Sequence, residues 1–340
     1  VGCLGTRKPV GTPVAGRREG PPGSLGMALV GLTLLSACAG PDAARGRRAL
    51  DEGRPDLAVP HFEAAAEAHP DDPERWEELA RAALAAGEGE TARRAFRRWA
   101  ALAPRDPEPR IGVGLAWELD RRYDEAERSL RQAVAIAPDD ARPHRVLGAR
   151  LLRWGEPGRA VPPLESARAA DPTHVETWNA LGLAQAGAGD EAGALATFTE
   201  GVARHPTARP LHLGRAALLV RAGRVRAALS AYDRIADRWP EDPATHVARG
   251  ILLHELGRGG EAETAFRRAV EVARRPAPYR RRLAAYRALR AQEERAPGTR
   301  RRPAGDGTAD APTDVEGLGN AHVVGGDTTV DPMDEEDASR

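Results

Sequence analysis

Three observations predict an all-α fold built from seven stacked helix pairs. The first is a repeat. Features recur every 34 residues across roughly residues 39–276, and a fixed period of that size marks supersecondary units that stack on one another. The second is composition. Ala, Leu, Arg and Glu dominate, which favours helix, while aromatic residues make up only 4% of the chain, thin for a sandwich or a large mixed core. The third is local periodicity. Within a unit the apolar residues fall at helical spacing, as in Trp76, Leu79, Ala80 and Ala83.

Residues 1–37 come first. Arg7, Lys8, Arg17 and Arg18 precede an apolar run, Met27 to Ala37. The run is about half the roughly 18–20 residues that a spanning helix needs. A basic segment, a short apolar stretch and small residues before a break describe a secretory signal peptide. Cys3 and Cys38 are the only cysteines. The body of the chain therefore has no disulfide framework, zinc knuckle or catalytic thiol. Lys8 is the only lysine, so arginine carries nearly all the positive charge of the repeats.

Each repeat then supplies the same parts. A small residue sits in the first helix (Gly46, Ala80, Gly114, Gly148, Gly182, Ala216, Gly250). A turn glycine ends that helix (Gly53, Gly87, Gly155, Gly189, Gly223, Gly257), because glycine adopts the left-handed conformation of a C-cap at no steric cost. In the second helix an alanine (Ala58, Ala92, Ala126, Ala160, Ala194, Ala228, Ala262) precedes by four residues a large apolar side chain (Phe62, Phe96, Leu130, Leu164, Phe198, Tyr232, Phe266). That spacing puts both on one face. Proline closes the unit at Pro70, Pro104, Pro138, Pro172, Pro206 and Pro240, and Asp-rich linkers such as "PDDPE" and "PEDPAT" offer N-caps to the next unit.

The pattern Trp, Leu-Gly, Tyr, Ala, Phe, Ala, Pro resembles the tetratricopeptide repeat family. "WNALGLAQAGAGDEAGALATFTEGVARHP" (residues 178–206) and "WEELARAALAAGEGETARRAFRRWAALAP" (76–104) carry the resemblance best. It implies a right-handed superhelix of antiparallel helix pairs over 39–276. Some positions depart from the family pattern. Arg121 stands in place of a turn glycine, at a cost of about 1 kcal/mol if the left-handed conformation is kept. Trp99 and Gly201 replace a small alanine, and Trp99 predicts irregular packing between repeats two and three. Arg274 replaces the last proline, so the second helix of repeat seven is predicted to continue to about Arg275. Asp42 and Arg45 weaken the first helix of repeat one.

Residues 277–296, with one apolar stripe among many arginines, match the capping helix that a repeat array needs over its last apolar face. Residues 297–340 are rich in Gly, Asp, Thr and Pro and net acidic, the composition of a disordered tail.

Motifs for catalysis or cofactors do not emerge: there is no HExxH, phosphate loop, GxSxG or CxxC. The reading is of a protein that is not an enzyme and needs no cofactor or metal. Charge is balanced, with 50 basic and 50 acidic residues, and no nucleic-acid partner is expected. His144, His212 and His246 share the repeat position of Trp76 and Trp178 and read as packing residues. His69 and His205 precede the helix-ending prolines, where the helix dipole favours a cation.

What remains is a surface. In the family, the first helices line a concave groove that binds protein segments. By position the resemblance implies Glu74, Glu77 and Arg81 in repeat two, then Glu108, Ile111, Leu115 and Glu118. Arg142, Arg145, Ala149 and Leu152 follow in repeat four, and Glu176, Asn179 and Leu183 in repeat five. Leu213, Ala217 and Arg221 come from repeat six, and Val247, Ile251 and His254 from repeat seven. The row runs from acidic to basic to apolar, and the Asn179 amide is suited to pairing with a bound backbone. Lysine is missing from the repeats, which argues against the subtype that clamps a C-terminal carboxylate.

"LSAC", residues 35–38, resembles the bacterial lipoprotein signal, which implies cleavage before Cys38 and acylation of its thiol and new amine. Ala39 in place of aspartate resembles the class sorted to the outer membrane. The whole reading is a lipid-anchored adaptor on the periplasmic side of a bacterial envelope. It would bind protein partners during assembly of a pilus, secretion or exopolysaccharide export complex. The rival readings are a soluble adaptor without an anchor and a regulatory module of an enzyme complex.

Overall fold

The computed structural model describes residues 40–295, so Cys38, the leader and the acidic tail lie outside the described residues. Among the described residues there are fifteen α-helices and no strand. Seven antiparallel pairs run in order. They are α1 (Pro41–Asp51) with α2 (Pro55–Ala68), α3 (Pro73–Ala85) with α4 (Gly89–Leu102), and α5 (Glu108–Leu119) with α6 (Tyr123–Ile136). Then come α7 (Ala141–Arg153) with α8 (Pro157–Ala170), and α9 (Val175–Gly187) with α10 (Glu191–Arg204). The last pairs are α11 (Arg209–Arg221) with α12 (Val225–Arg238), and α13 (Pro243–Glu255) with α14 (Gly259–Val272). A single helix, α15 (Ala277–Arg295), follows. The odd-numbered helices α1 to α13 are called A helices here, and their partners B helices.

Local chemistry sets the ends. Asp72, Asp140 and Asp242 cap α3, α7 and α13 by accepting from the backbone N–H two residues on, which satisfies donors that the helix cannot. Each turn between A and B helix has one residue in the left-handed region. Six are glycines, and the seventh is Arg121 at φ 56°. Arg121 keeps the same hydrogen-bond pattern as the glycines, its N–H donating to Glu118 O at 2.9 Å and that of Arg122 to Trp117 O at 3.0 Å. The conformation is therefore imposed by the turn, on a residue that pays for it in local strain.

Every B helix has 14 residues. The last, α14, stops at Val272 with Ala273 extended, so the predicted continuation to Arg275 does not occur. Proline is thus not needed to end this helix. Pro276 still matters, since it excludes helical backbone at Arg275. Repeat three departs from its neighbours in length, α5 having 12 residues where α3 and α7 have 13.

The core is a chain of small interlocking seats. The large B-helix side chain lies over the small A-helix residue of its own repeat, so closely that a Cβ on Gly182 would come within 2.6 Å of Phe198. Phe96 and Phe198 also lie against a glycine of the following A helix, and a Cβ on Gly112 would sit 2.1 Å from Phe96. Trp99, buried and stacked on Phe96 with ring centroids 6.1 Å apart, is housed in that region. Successive A helices touch one another from α3 through α11, whereas no two B helices make a comparable contact. The A helices therefore form the tighter, inner wall of the curved stack.

Candidate partner-binding groove

One tether recurs at the start of the inner wall. The ring N–H of Trp76 donates to Pro70 O at 2.9 Å, and that of Trp178 to Pro172 O at 2.8 Å. His144, His212 and His246 repeat the bond through Nε2, to the carbonyls of Pro138, Pro206 and Pro240 at 2.8, 3.0 and 2.8 Å. A carbonyl only accepts, so each of these nitrogens carries a proton. Trp and His are interchangeable here because both offer a planar ring with an N–H at the right reach. His205 also points to Pro172 O, at 3.2 Å, and its ring lies 6.4 Å from that of Trp178. The histidines thus anchor the linkers to the A helices. Among the described residues no three His, Cys, Asp or Glu side chains gather as a metal site would require.

Much of the charge is spent internally. Glu77 pairs with Arg81 at 2.8 Å on α3. Glu108 on α5 accepts from Arg142 on α7 at 2.9 Å. Glu118 on α5 accepts from the Trp154 ring at 3.1 Å, with Arg150 at 3.4 Å and Arg153 at 3.8 Å. Burial lowers the Arg150 guanidinium below its ordinary value, and Glu118 partly offsets this. Arg221 is pinned at the edge of the wall by Glu191 at 3.0 Å and by Ala186 O at 2.8 Å. His254 lies 3.4 Å from Glu293 of α15, so the last helix covers this end of the row.

Two of the residues read as groove contacts from sequence are corrected. Ile111 is 3% exposed and Val247 5%. Both side chains belong to the core, because the helices flanking α5 and α13 close over them. Of the others, Glu74 and Arg142 are exposed, while Glu77, Arg81, Leu115, Leu213 and Ile251 are half-buried. Arg145 and Asn179 are half-buried too, and neither makes a hydrogen bond or ion pair among the described residues. Leu183 stands out at 37% exposed, the largest apolar side chain open to solvent on α9. Val220 on α11, also exposed, is a further apolar residue of the wall that the sequence reading passed over. Its register was legible, since it lies 34 residues from Ala186 and 68 from Leu152.

No helix among the described residues is long and apolar enough to cross a membrane. Two sequence models of the tetratricopeptide repeat match, one over residues 49–111 and the other over 145–209 and 213–281, together more than half of the chain. No curated protein matches in sequence. Solved structures do. The C-terminal part of a tetratricopeptide-repeat protein from Cytophaga hutchinsonii is 12% identical, with a TM-score of 0.55 over 67% of this chain and 94% of that one. A tetratricopeptide repeat protein from Parabacteroides merdae is 13% identical, with a TM-score of 0.48 over 72% and 96%. YrrB, described as having an unusual peptide-binding site, is 20% identical, with a TM-score of 0.44 over 53% and 92%. At these identities the likeness is one of fold. The repeat register, the helix pairs and the two sequence models agree, and the chain belongs to the tetratricopeptide repeat family.

Proposed function

We propose that the protein is an adaptor that holds an extended or helical segment of a partner protein along the inner wall of its A helices. The observation that carries this reading is a small group on α7, α9 and α11. Leu183 and Val220 expose apolar surface, while Arg145 and Asn179 make no hydrogen bond among the described residues, the charge of Arg145 acting only at a distance on Asp171. A partner side chain covering Leu183 gains about 25 cal/mol for each Å² removed from water. Arg145 would supply a charge-assisted bond to a partner carboxylate, and Asn179 two donors and an acceptor to its backbone. Crosslinking and pull-down with Arg145→Ala, Asn179→Ala and Leu183→Asp variants tests the surface. Loss of the wild-type partner set is the expected outcome, and an unchanged set from all three rejects this face.

The same proposal places the adaptor on a membrane through Cys38. The support is the Leu-Ser-Ala-Cys sequence after an apolar run. Several acyl chains on one residue hold far more firmly than one. With α1 beginning at Pro41, only Ala39 and Gly40 would separate it from Cys38, and so short a tether would keep repeat one close to lipid headgroups. The envelope of a bacterium, on the periplasmic side of the outer membrane, is the compartment that fits. Assembly of a pilus, secretion or exopolysaccharide export complex is the class of task. Cys38→Ser should move the protein from the membrane fraction to the soluble fraction. Sedimentation with membranes like wild type would defeat the anchor.

A further inference from the structure

Position 79 of repeat two and its equivalents Val113, Leu147 and Leu181 are buried aliphatic side chains. Repeats six and seven place arginines there, Arg215 and Arg249. The two fare differently. Arg249 on α13 pairs with Asp233 of the preceding B helix at 2.7 Å. It lines a cleft of about 350 Å³ with Arg267 and Arg268, and these pair with Glu263 at 3.2 Å and Glu271 at 3.0 Å. Every arginine of the repeat-seven cleft is thus neutralised from within the chain.

Repeat six lacks those carboxylates. The residue 34 before Asp233 is Thr199, and the residue 34 before Glu261, which also lines the cleft, is Ala227. Arg215 is half-buried and has no hydrogen bond or ion pair among the described residues. Arg234 on α12 donates only to Ser230 Oγ, at 3.1 Å. Arg238 lies 5.4 Å over the Trp239 ring, and the His212 ring stands 5.3 Å from the same ring. Asp237, at the position of Glu271, is exposed and makes no ion pair within 4.0 Å among the described residues. Burial, then the nearby Arg234, holds the Arg215 guanidinium below its ordinary value. Burial does the same to His212, and Arg215, Arg238 and Arg234 add to it against the opposing hydrogen bond to Pro206.

His212 and Arg215 on α11, and Arg234 and Arg238 one turn apart on α12, thus gather around the Trp239 end of repeat six, and none of them has a carboxylate within ion-pair distance among the described residues. An uncompensated, partly buried cation is costly to keep, and planar guanidinium forks suit oxyanions. We infer that the basic face of α11 and α12 in repeat six is a binding site for a phosphate group, with the half-buried Arg215 as its inner ligand and the exposed Arg234 and Arg238 at its rim. A dianion matches this excess of positive charge better than a single carboxylate does. The site lies between an A helix and its own B helix. It is independent of the residues Arg145, Asn179 and Leu183 proposed to hold a partner.

Thermal unfolding in sodium phosphate against sodium chloride at equal ionic strength, near pH 7.5, tests the site. Phosphate also stabilises folded proteins by exclusion from their surfaces, so two variants isolate the specific part. Arg215→Leu restores the residue found at three equivalent positions, Leu79, Leu147 and Leu181, and Thr199→Asp supplies the carboxylate that Asp233 gives to Arg249. The expected result is a saturable rise of about 2–4 °C in wild type, beyond the shift seen in either variant. Titration calorimetry with O-phosphoserine in place of inorganic phosphate separates a group carried on a larger ligand from the free ion. Binding of the free ion alone or of both supports the site. Equal phosphate shifts in wild type and both variants, with no calorimetric binding of either probe, overturn it.

Discussion

Arg121 shows how a single residue records the demands of a turn. It holds φ 56° where six sister turns have glycine, and an L side chain there costs about 1–2 kcal/mol. Glycine would be more disordered in the unfolded chain, which returns part of that gain. Arg121→Gly is expected to stabilise the protein by about 0.5–1 kcal/mol, read from the midpoint of urea unfolding. Glu255 is the opposite case. It is half-buried at the end of α13 and has no hydrogen bond or ion pair among the described residues. Burial alone pushes its carboxyl up. A carboxyl raised in the folded state leaves stability intact below the unfolded carboxylate range, about 4.3, and removes it as pH rises through the folded value. Glu255→Gln should therefore be more stable than wild type at neutral pH and equal to it near pH 4. A difference that grows on acidification would contradict the burial argument. Arg121 was readable as a departure from the repeat. Glu255 was not, because its trouble comes from what surrounds it and not from its own position in a pattern.

At the scale of elements, the helices owe their lengths to packing as much as to sequence punctuation. Seven B helices of 14 residues, one of them without a terminal proline, share a span because each crosses the same width of stack. The spacing between helices depends on the seats. Gly112 admits α5 against Phe96, and any side chain there would collide with the ring. Gly112→Val should cost about 1–3 kcal/mol or more, measured by chemical denaturation. A neutral outcome would mean that Phe96 has room to turn away. The glycine at position 46 and its equivalents was legible from the period alone. Gly112 and Gly214 were not singled out, since each serves the phenylalanine of the repeat before it, and the need for it arises only where that residue is Phe.

For the molecule as a whole, both ends of the stack must present polar faces to water. α15 does this at one end. Leu283 and Tyr286 turn inward, the Tyr286 ring lies 4.7 Å from Phe266, and its hydroxyl donates to Gly259 O at 3.1 Å. In a linear array each unit touches only its neighbours. Tyr286→Ala should then cost about 3 kcal/mol or more, with the loss felt locally. Hydrogen exchange is expected to quicken over α13 to α15 and to stay slow over α3 to α6. Uniform quickening along the chain would show that the array unfolds as one body instead.

The period, the helix pairs, their caps and the seats within each repeat can all be read from the order of the residues. Those features rest on contacts between residues close in the chain or repeated at one interval, so they leave a pattern. The folded helices alone reveal that Ile111 and Val247 are buried, and which charges of the groove are already paired. They also decide that Arg249 has a counter-charge and Arg215 has none. Each of these depends on the side chain that a neighbouring repeat brings alongside. A linear pattern specifies the position of that neighbour, but burial and charge pairing are settled only when the helices meet.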